Sequence, residues 1–158
     1  MEKVRISKMI ETDEQLQEAV EQLSWSCFNK PFIHKAYFNS RLRTSGGRYH
    51  LSTHNIDFNP RVAAKYGAEE LIGVIKHELC HYHLHLAGKG YQHKDRDFKD
   101  HLKLIGGSRY VRPLTDEVSA IYEYQCSDCQ TKISRKRRVN INRYVCGKCH
   151  GKLKLIER

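Results

Sequence analysis

No apolar run in the sequence approaches the roughly 18 residues a membrane span requires, which excludes a transmembrane protein. Met1-Glu2-Lys3-Val4-Arg5 leads into an acidic amphipathic stretch instead of a continuous apolar segment, so no secretory signal is expected and the compartment is read as the reducing cytosol. The chain also lacks low-complexity segments, and its only internal repetition is a pair of cysteine motifs. Acidic residues are few beside basic ones, 18 against 28, and the formal charge of +10 suits a polyanionic partner. Hydrophobic residues at 39% and charged residues at 29% match ordinary globular chains, which excludes disorder. With 158 residues there is room for one core and a small appendage, not for two full enzyme domains.

What is present divides into helical and strand-like stretches. Thr12 followed by Gln15 reads as a capping box, and Leu16, Ala19, Val20 and Leu23 recur at helical spacing, which predicts a helix of about 12 residues ending near Trp25. Alternation across 36–58, interrupted at Ser45-Gly46-Gly47 and closed by Asn59-Pro60, predicts a β-hairpin. Glu69 and Glu70 place acid in the first turn of a long helix over about 68–87, with Gly88 as its stop. Phe98, Leu102 and Ile105 predict a third helix over about 95–105, ended by Gly106-Gly107. Beyond a boundary at Pro113, the stretch 122–156 carries all the paired cysteines and a basic run, with strands expected around Ile133 and Tyr144.

The long helix contains His77-Glu78-Leu79-Cys80-His81. Residues four apart lie one turn above each other, so both imidazoles can face one ion while Glu78 projects about 100° away, within reach of a water on that ion. Zinc lowers the pKa of a bound water to about 7, and a neighbouring carboxylate can take its proton as it attacks a carbonyl. A metzincin would carry glycine and histidine where this chain has Leu84 and Ala87, so that class is excluded. The turn at Gly88-Lys89-Gly90 instead returns the chain, and His93 is the expected third ligand. Asp95, Asp97 or His101 could serve in its place, and Glu117 would be the gluzincin-type solution. His85 is expected to pack beside the site, His34, His50, His54 and His83 to be solvated or on a strand surface, and Cys27 and Cys80 to be small core residues.

Cys126-x-x-Cys129 and Cys146-x-x-Cys149 are separated by 16 residues, a spacing that fits a closed four-thiolate zinc site. Such a site leaves no position for substrate, so this zinc is structural and stands in for the core that so short a segment cannot build. His150 is a poor substitute ligand. Between the pairs, Lys132, Arg135, Lys136, Arg137 and Arg138 form a basic run suited to phosphate contact, to which Tyr124 and Tyr144 could add stacking.

With these features laid out, the chain resembles the SprT-like family of zinc metalloproteins in its short bacterial form. The resemblance rests on residues 38–59, including Arg41-Leu42-Arg43-Thr44-Ser45-Gly46-Gly47-Arg48-Tyr49, on Glu70-Leu71 and the His77–His81 motif, on Gly90-Tyr91-Gln92-His93, and on the four-cysteine ribbon. It departs from relatives of the Spartan kind, which degrade proteins crosslinked to DNA, in placing Lys94-Asp95-Arg96 between His93 and Asp97-Phe98. The resemblance implies an α+β zincin-like metalloprotease domain over 1–115 and a zinc ribbon over 120–155. It also implies one catalytic zinc on His77, His81 and His93, a second, structural zinc on Cys126, Cys129, Cys146 and Cys149, and Glu78 as general base. The expected activity is that of a cytoplasmic metallopeptidase acting on protein associated with nucleic acid, DNA foremost, with substrate adding to a strand over 48–58. The alternatives are a zinc-dependent nuclease, which would not need Glu78, and a non-catalytic module that binds zinc and nucleic acid.

Overall fold

Thr12 opens the first helix with a reciprocal cap. Its hydroxyl accepts the Gln15 N–H while the Gln15 side chain accepts the Thr12 N–H, satisfying two donors that a helix start leaves free. In this computed structural model, which describes residues 9–114 and 122–157, that helix is α1 (Asp13–Phe28), 16 residues long. It runs past Trp25 because its stop is conformational: Asn29 adopts φ 51, a left-handed backbone that asparagine tolerates, and returns its N–H to the Trp25 carbonyl.

Three short strands follow, β1 (Ala36–Phe38), β2 (Gly47–Tyr49) and β3 (Ile56–Phe58), in the order β1-β3-β2. The hairpin read over 36–58 is corrected here. Only β2 and β3 pair antiparallel, whereas β1 lies parallel to β3 on its other side. The alternation seen at 49–53 belongs to the turn, where His50 N–H bonds to Asn55 O, His54 N–H bonds to His50 O and Leu51 is exposed. The central strand β3 is buried along its whole length, and its Asp57 carboxylate is accordingly held by partners. Arg48 bonds to it at 2.7 and 3.3 Å and Asn39 at 2.8 Å, with His50 Nε2 at 3.4 Å.

A helix absent from the sequence reading, α2 (Arg61–Tyr66), precedes the long helix α3 (Ala68–Leu86). Leu71, Ile75 and Leu79 of α3 pack with Leu16, Val20 and Leu23 of α1 and with Ile56 and Phe58 of β3. Each fully buried aliphatic side chain contributes roughly 1.5–3 kcal/mol, enough in sum to offset the burial of His77, Glu78 and His83 on the same helix. A smaller cluster joins Cys80 and Leu84 of α3 to Phe98 and Leu102 of α4 (Arg96–Ile105). Among the described residues no helix is long and apolar enough to cross a membrane.

The chain divides into two compact units, Met1–Thr115 and Asp116–Arg158. The second holds β4 (Tyr122–Cys126), β5 (Lys132–Arg135) and β6 (Leu153–Glu157), antiparallel in the order β5-β4-β6. The strand expected around Tyr144 is instead a turn, in which Arg143 and Tyr144 N–H both bond to Asn140 O. The third strand forms at 153–157, where Leu153 is buried beside Cys126 and Cys146.

Burial alone would raise the Asp57 pKa, but the hydrogen bonds from Arg48 and Asn39 outweigh it and hold this carboxyl below its ordinary value. Asp57 therefore contributes stability that is present above the unfolded carboxylate range and is lost as pH falls through its lower folded value. Asp57→Asn is expected to destabilise the first unit by about 1.5–3 kcal/mol at neutral pH and to flatten the acid limb of stability. Urea unfolding followed from neutral pH down to about pH 3 measures both, across the carboxylate range, and parallel pH profiles for parent and variant would contradict the assignment.

Candidate metal centre

Helical pitch sets the first two residues of the centre. On α3 the His77 and His81 rings lie one turn apart, with Nε2 atoms 3.2 Å from each other. The third histidine comes from the loop after the helix, which its own side chains staple. Asp97 accepts the Gly90 N–H at 3.1 Å, and Asp95 accepts the Gln92 N–H at 2.9 Å. A Cβ at position 90 would lie 2.8 Å from that of Asp95, so glycine permits the close return. His93 Nε2 thereby sits 2.8 Å from His77 Nε2 and 3.0 Å from His81 Nε2, on the exposed side of the group. The rival positions are not among the converging nitrogens: Asp95 and Asp97 bind the loop backbone, and the His101 ring is turned onto Phe28, with centroids 4.9 Å apart. Glu117 lies outside the described residues.

Backbone carbonyls decide which nitrogens are free. His77 Nδ1 donates to Ser108 O at 2.7 Å and His81 Nδ1 donates to Tyr91 O at 2.6 Å, so both neutral rings turn an Nε2 lone pair toward the centre. Burial lowers the pKa of both, that of His81 to about 4, which keeps them unprotonated near neutral pH. Converging lone pairs at 2.8–3.2 Å repel unless a cation lies among them. A tetrahedral zinc with Zn–N near 2.0–2.1 Å would set these nitrogens about 3.3 Å apart. The donor set thus fits zinc.

Glu78 is buried next to this group, in a cleft of about 330 Å³ that also takes in His77 and His93. Burial and then the charge of Asp57 push its pKa up to about 8, tempered by the nearby Tyr49 N–H. Ionisation of such a carboxyl calls for positive charge alongside. Strand β2 can lie this close to α3 because position 47 is glycine. A Cβ there would meet Glu78 Cγ at 2.9 Å and Phe58 at 3.1 Å. Periodicity marks Gly47 only as part of a turn, and only packing identifies it as the residue that makes room for Glu78.

Three histidines expected to be solvated or on a strand surface, His83, His34 and His54, instead have side-chain partners. His83 is buried with Nε2 2.7 Å from Ser24 Oγ. The Ser24 hydroxyl donates to Lys30 O, so His83 Nε2 must carry the proton, and burial holds its pKa near 4. His34 Nδ1 lies 2.8 Å from the Tyr82 hydroxyl. His54 and His85 Nδ1 both lie 2.7 Å from the Tyr49 hydroxyl, which can donate to one and must accept from the other. Cys80 is fully buried, with its thiol pKa pushed up to about 12 mainly by that burial, and Cys27 is half-buried.

In the second unit the cysteines build two matching knuckles. Gln130 (φ 61) and His150 (φ 62), each directly after the second cysteine of a pair, return N–H groups to Cys126 O and Cys146 O. Cys126 N–H and Cys146 N–H in turn bond to Thr131 O and Gly151 O. The four Sγ atoms converge, with Cys126 to Cys149 at 3.4 Å and Cys129 to Cys146 at 3.7 Å. These separations are too long for disulfides and suit a tetrahedron of Zn–S bonds near 2.3 Å. A Cβ at Gly151 would approach Cys126 Sγ to 2.9 Å, so this glycine keeps the site open to the metal. Lys132, Arg135, Lys136, Arg137 and Arg138 are all exposed, the last four of them around a cavity of about 740 Å³. Tyr144 on its wall is 55% exposed, while Tyr124 is buried and cannot stack on a ligand.

His93→Ala is expected to lower zinc content by about one equivalent while leaving the fold intact, because His93 is exposed and lies outside the hydrophobic core. His101→Ala should leave zinc content unchanged. Elemental analysis with circular dichroism reads both, and zinc loss from the His101 variant but not the His93 variant would overturn the ligand set.

Residues 15–119 match the SprT-like family, and residues 121–157 match the SprT-like zinc ribbon domain. Among similar proteins, each named Protein SprT-like, one from Enterococcus faecalis is 62% identical over 143 residues, covering 90% of this chain and 94% of that protein. One from Geobacillus kaustophilus is 58% identical over 144 residues (89% and 97%), and one from Bacillus cereus is 52% identical over 148 residues (92% and 97%). With the family match spanning the histidine-bearing unit and the ribbon match spanning the four cysteines of a structural zinc site, the chain belongs to the SprT-like family.

Proposed function

We propose that the chain is a zincin-like, zinc-dependent metallopeptidase of the HExxH type that acts on proteins held on nucleic acid, DNA foremost, as in DNA–protein crosslinks. The observation that carries this reading is the buried Glu78 carboxyl in a cleft shared with His77 and His93, two of the three imidazoles whose nitrogens converge with that of His81. His77, His81 and His93 would hold the metal. Zinc bound there would supply Lewis acidity toward a water and a carbonyl oxygen. Glu78 would act as general base, taking a proton from the attacking water on a carboxylate oxygen and passing it to the leaving nitrogen. Ser108 O and Tyr91 O keep the two helix imidazoles in the tautomer that presents Nε2.

An extended polypeptide needs an edge strand, and β2 at 47–49 is one edge of its sheet; β3 is central and cannot accept a partner. Exposure of His93 favours catalysis over a closed, purely structural zinc. The position of Glu78 beside the imidazoles favours peptide hydrolysis over a nuclease, which has no need of that glutamate. In the ribbon, the exposed cations around Tyr144 supply a surface for phosphate and base contact, and a cytoplasmic setting suits its four thiols.

Glu78→Gln should keep both metals and the fold and reduce hydrolysis by at least about 10². Replacing Arg135, Lys136, Arg137 and Arg138 with serine should do the opposite: hydrolysis of a free peptide persists, nucleic-acid affinity falls, and the salt slope shrinks by roughly one for each phosphate no longer neutralised. Salt-dependent binding and proteolysis of a DNA-anchored protein, run on both variants, test the pair. Full proteolysis by Glu78→Gln would end the enzyme reading, and unchanged binding by the ribbon variant at every salt concentration would end the nucleic-acid reading.

A further inference from the structure

A second cavity, of about 440 Å³, opens beside the first and shares His93, Arg109 and Tyr110 with it. Its floor is apolar. Phe98 and Leu102 reach it from α4, and the Phe98 ring also packs on the three imidazoles, with centroids 4.4–5.2 Å away. Gly107 lets the following segment pack directly on Leu102, since a Cβ there would collide with the Leu102 side chain. The wall between the two cavities is the segment 106–111. Gly106, left-handed at φ 68, ends α4, and Ser108 then docks on α3 by its N–H to Gly73 O and its carbonyl to His77. A side chain at Gly73 would collide with Ser108 Oγ at 2.1 Å, so the seat is made for this segment. Pinned in this way, the segment leaves Tyr110 77% exposed at the junction, with Arg109 over its ring at 5.4 Å.

The rim is cationic. Lys99, Lys103 and Arg109 stand around the opening, and among the described residues none of them has a carboxylate partner. The one acidic residue there, Asp100, is 3.4 Å from Arg96. The cavity therefore offers an apolar interior too large for a small side chain and a mouth with unbalanced positive charge. The floor formed by Phe98, Leu102 and Gly107 presents no side-chain hydrogen-bonding group for the polar edge of a nucleobase, which favours a polypeptide occupant.

We propose that this cavity is a substrate subsite that takes a large apolar side chain of the polypeptide, with an adjacent acidic residue held by Lys99, Lys103 and Arg109. The proposal rests on the metallopeptidase reading and adds a specificity to it. A chain lying across the cleft of Glu78 passes His93 and Tyr110 before reaching this opening, so the residue selected is near the scissile bond.

The test uses the zinc-loaded full chain and fluorogenic peptides in which a Phe-Glu, Ala-Glu or Phe-Lys pair is moved along an otherwise neutral sequence. Peptide anisotropy on the Glu78→Gln protein is measured in parallel, with a single-stranded oligonucleotide as competitor. Phe-Glu should be cleaved with kcat/KM about tenfold above Ala-Glu, the scale of side-chain fit in an apolar pocket, and about fivefold above Phe-Lys. Lys99→Glu with Lys103→Glu, both exposed, should reverse the second preference and leave the first. Cleavage of all three peptides at equal efficiency overturns the subsite while the metallopeptidase reading stands. Selective binding without hydrolysis overturns that reading and keeps the cavity as a peptide site, and neither binding nor hydrolysis overturns both. Displacement of the peptide by the oligonucleotide, abolished by the lysine substitutions, would overturn the proposal and assign the cavity to nucleic acid.

Discussion

Three imidazole nitrogens within 3.2 Å of one another repel unless something positive lies between them, and much of the first unit serves to hold them there. The helix supplies two of the rings, and its burial against α1 and β3 supplies the free energy that keeps polar groups in a dry setting. The Asp95 and Asp97 carboxylates fold the loop that brings in the third. Ser108 and Tyr91 contribute only carbonyl oxygens, yet those bonds set the tautomers and so aim the lone pairs.

The two units bring their candidate metal ligands together by different physics. In the first, a hydrophobic core fixes the backbone and the histidines converge on its surface. In the ribbon, the cluster at the cysteines adds only Leu153 and Ile133, with Tyr124 buried in the same sheet, so the four thiols do much of the work of a core. Duplicate knuckles, with a left-handed residue at Gln130 and at His150, bring four sulfurs together with little apolar packing around them.

Features governed by local spacing were legible in the sequence. The capping box at Thr12, the helix carrying His77 and His81 and the paired cysteines all follow from intervals of three or four residues. Features decided by distant partners were not. His83 reads as solvated until Ser24, 59 residues away in sequence, is seen to accept its N–H. The alternating pattern near Leu51 reads as a strand because nothing local shows that the central place beside β2 goes to Ile56–Phe58, with β1 parallel on the far side. Tyr124 and Tyr144 look equivalent as stacking residues, and only the sheet shows that Tyr124 is inside with its hydroxyl bonded to Val139 N–H. Gly47 and Gly107 carry no local sign of the close packing that each permits.

The central claim, that the converging histidines hold a second zinc distinct from the ribbon's, is tested most directly by zinc-edge X-ray absorption combined with metal analysis of the purified full chain. Two zincs per chain should be found, with a mean first shell mixing sulfur near 2.3 Å and nitrogen or oxygen near 2.0 Å, in proportions of about four sulfurs to four lighter atoms. A single zinc surrounded by sulfur alone would contradict the claim.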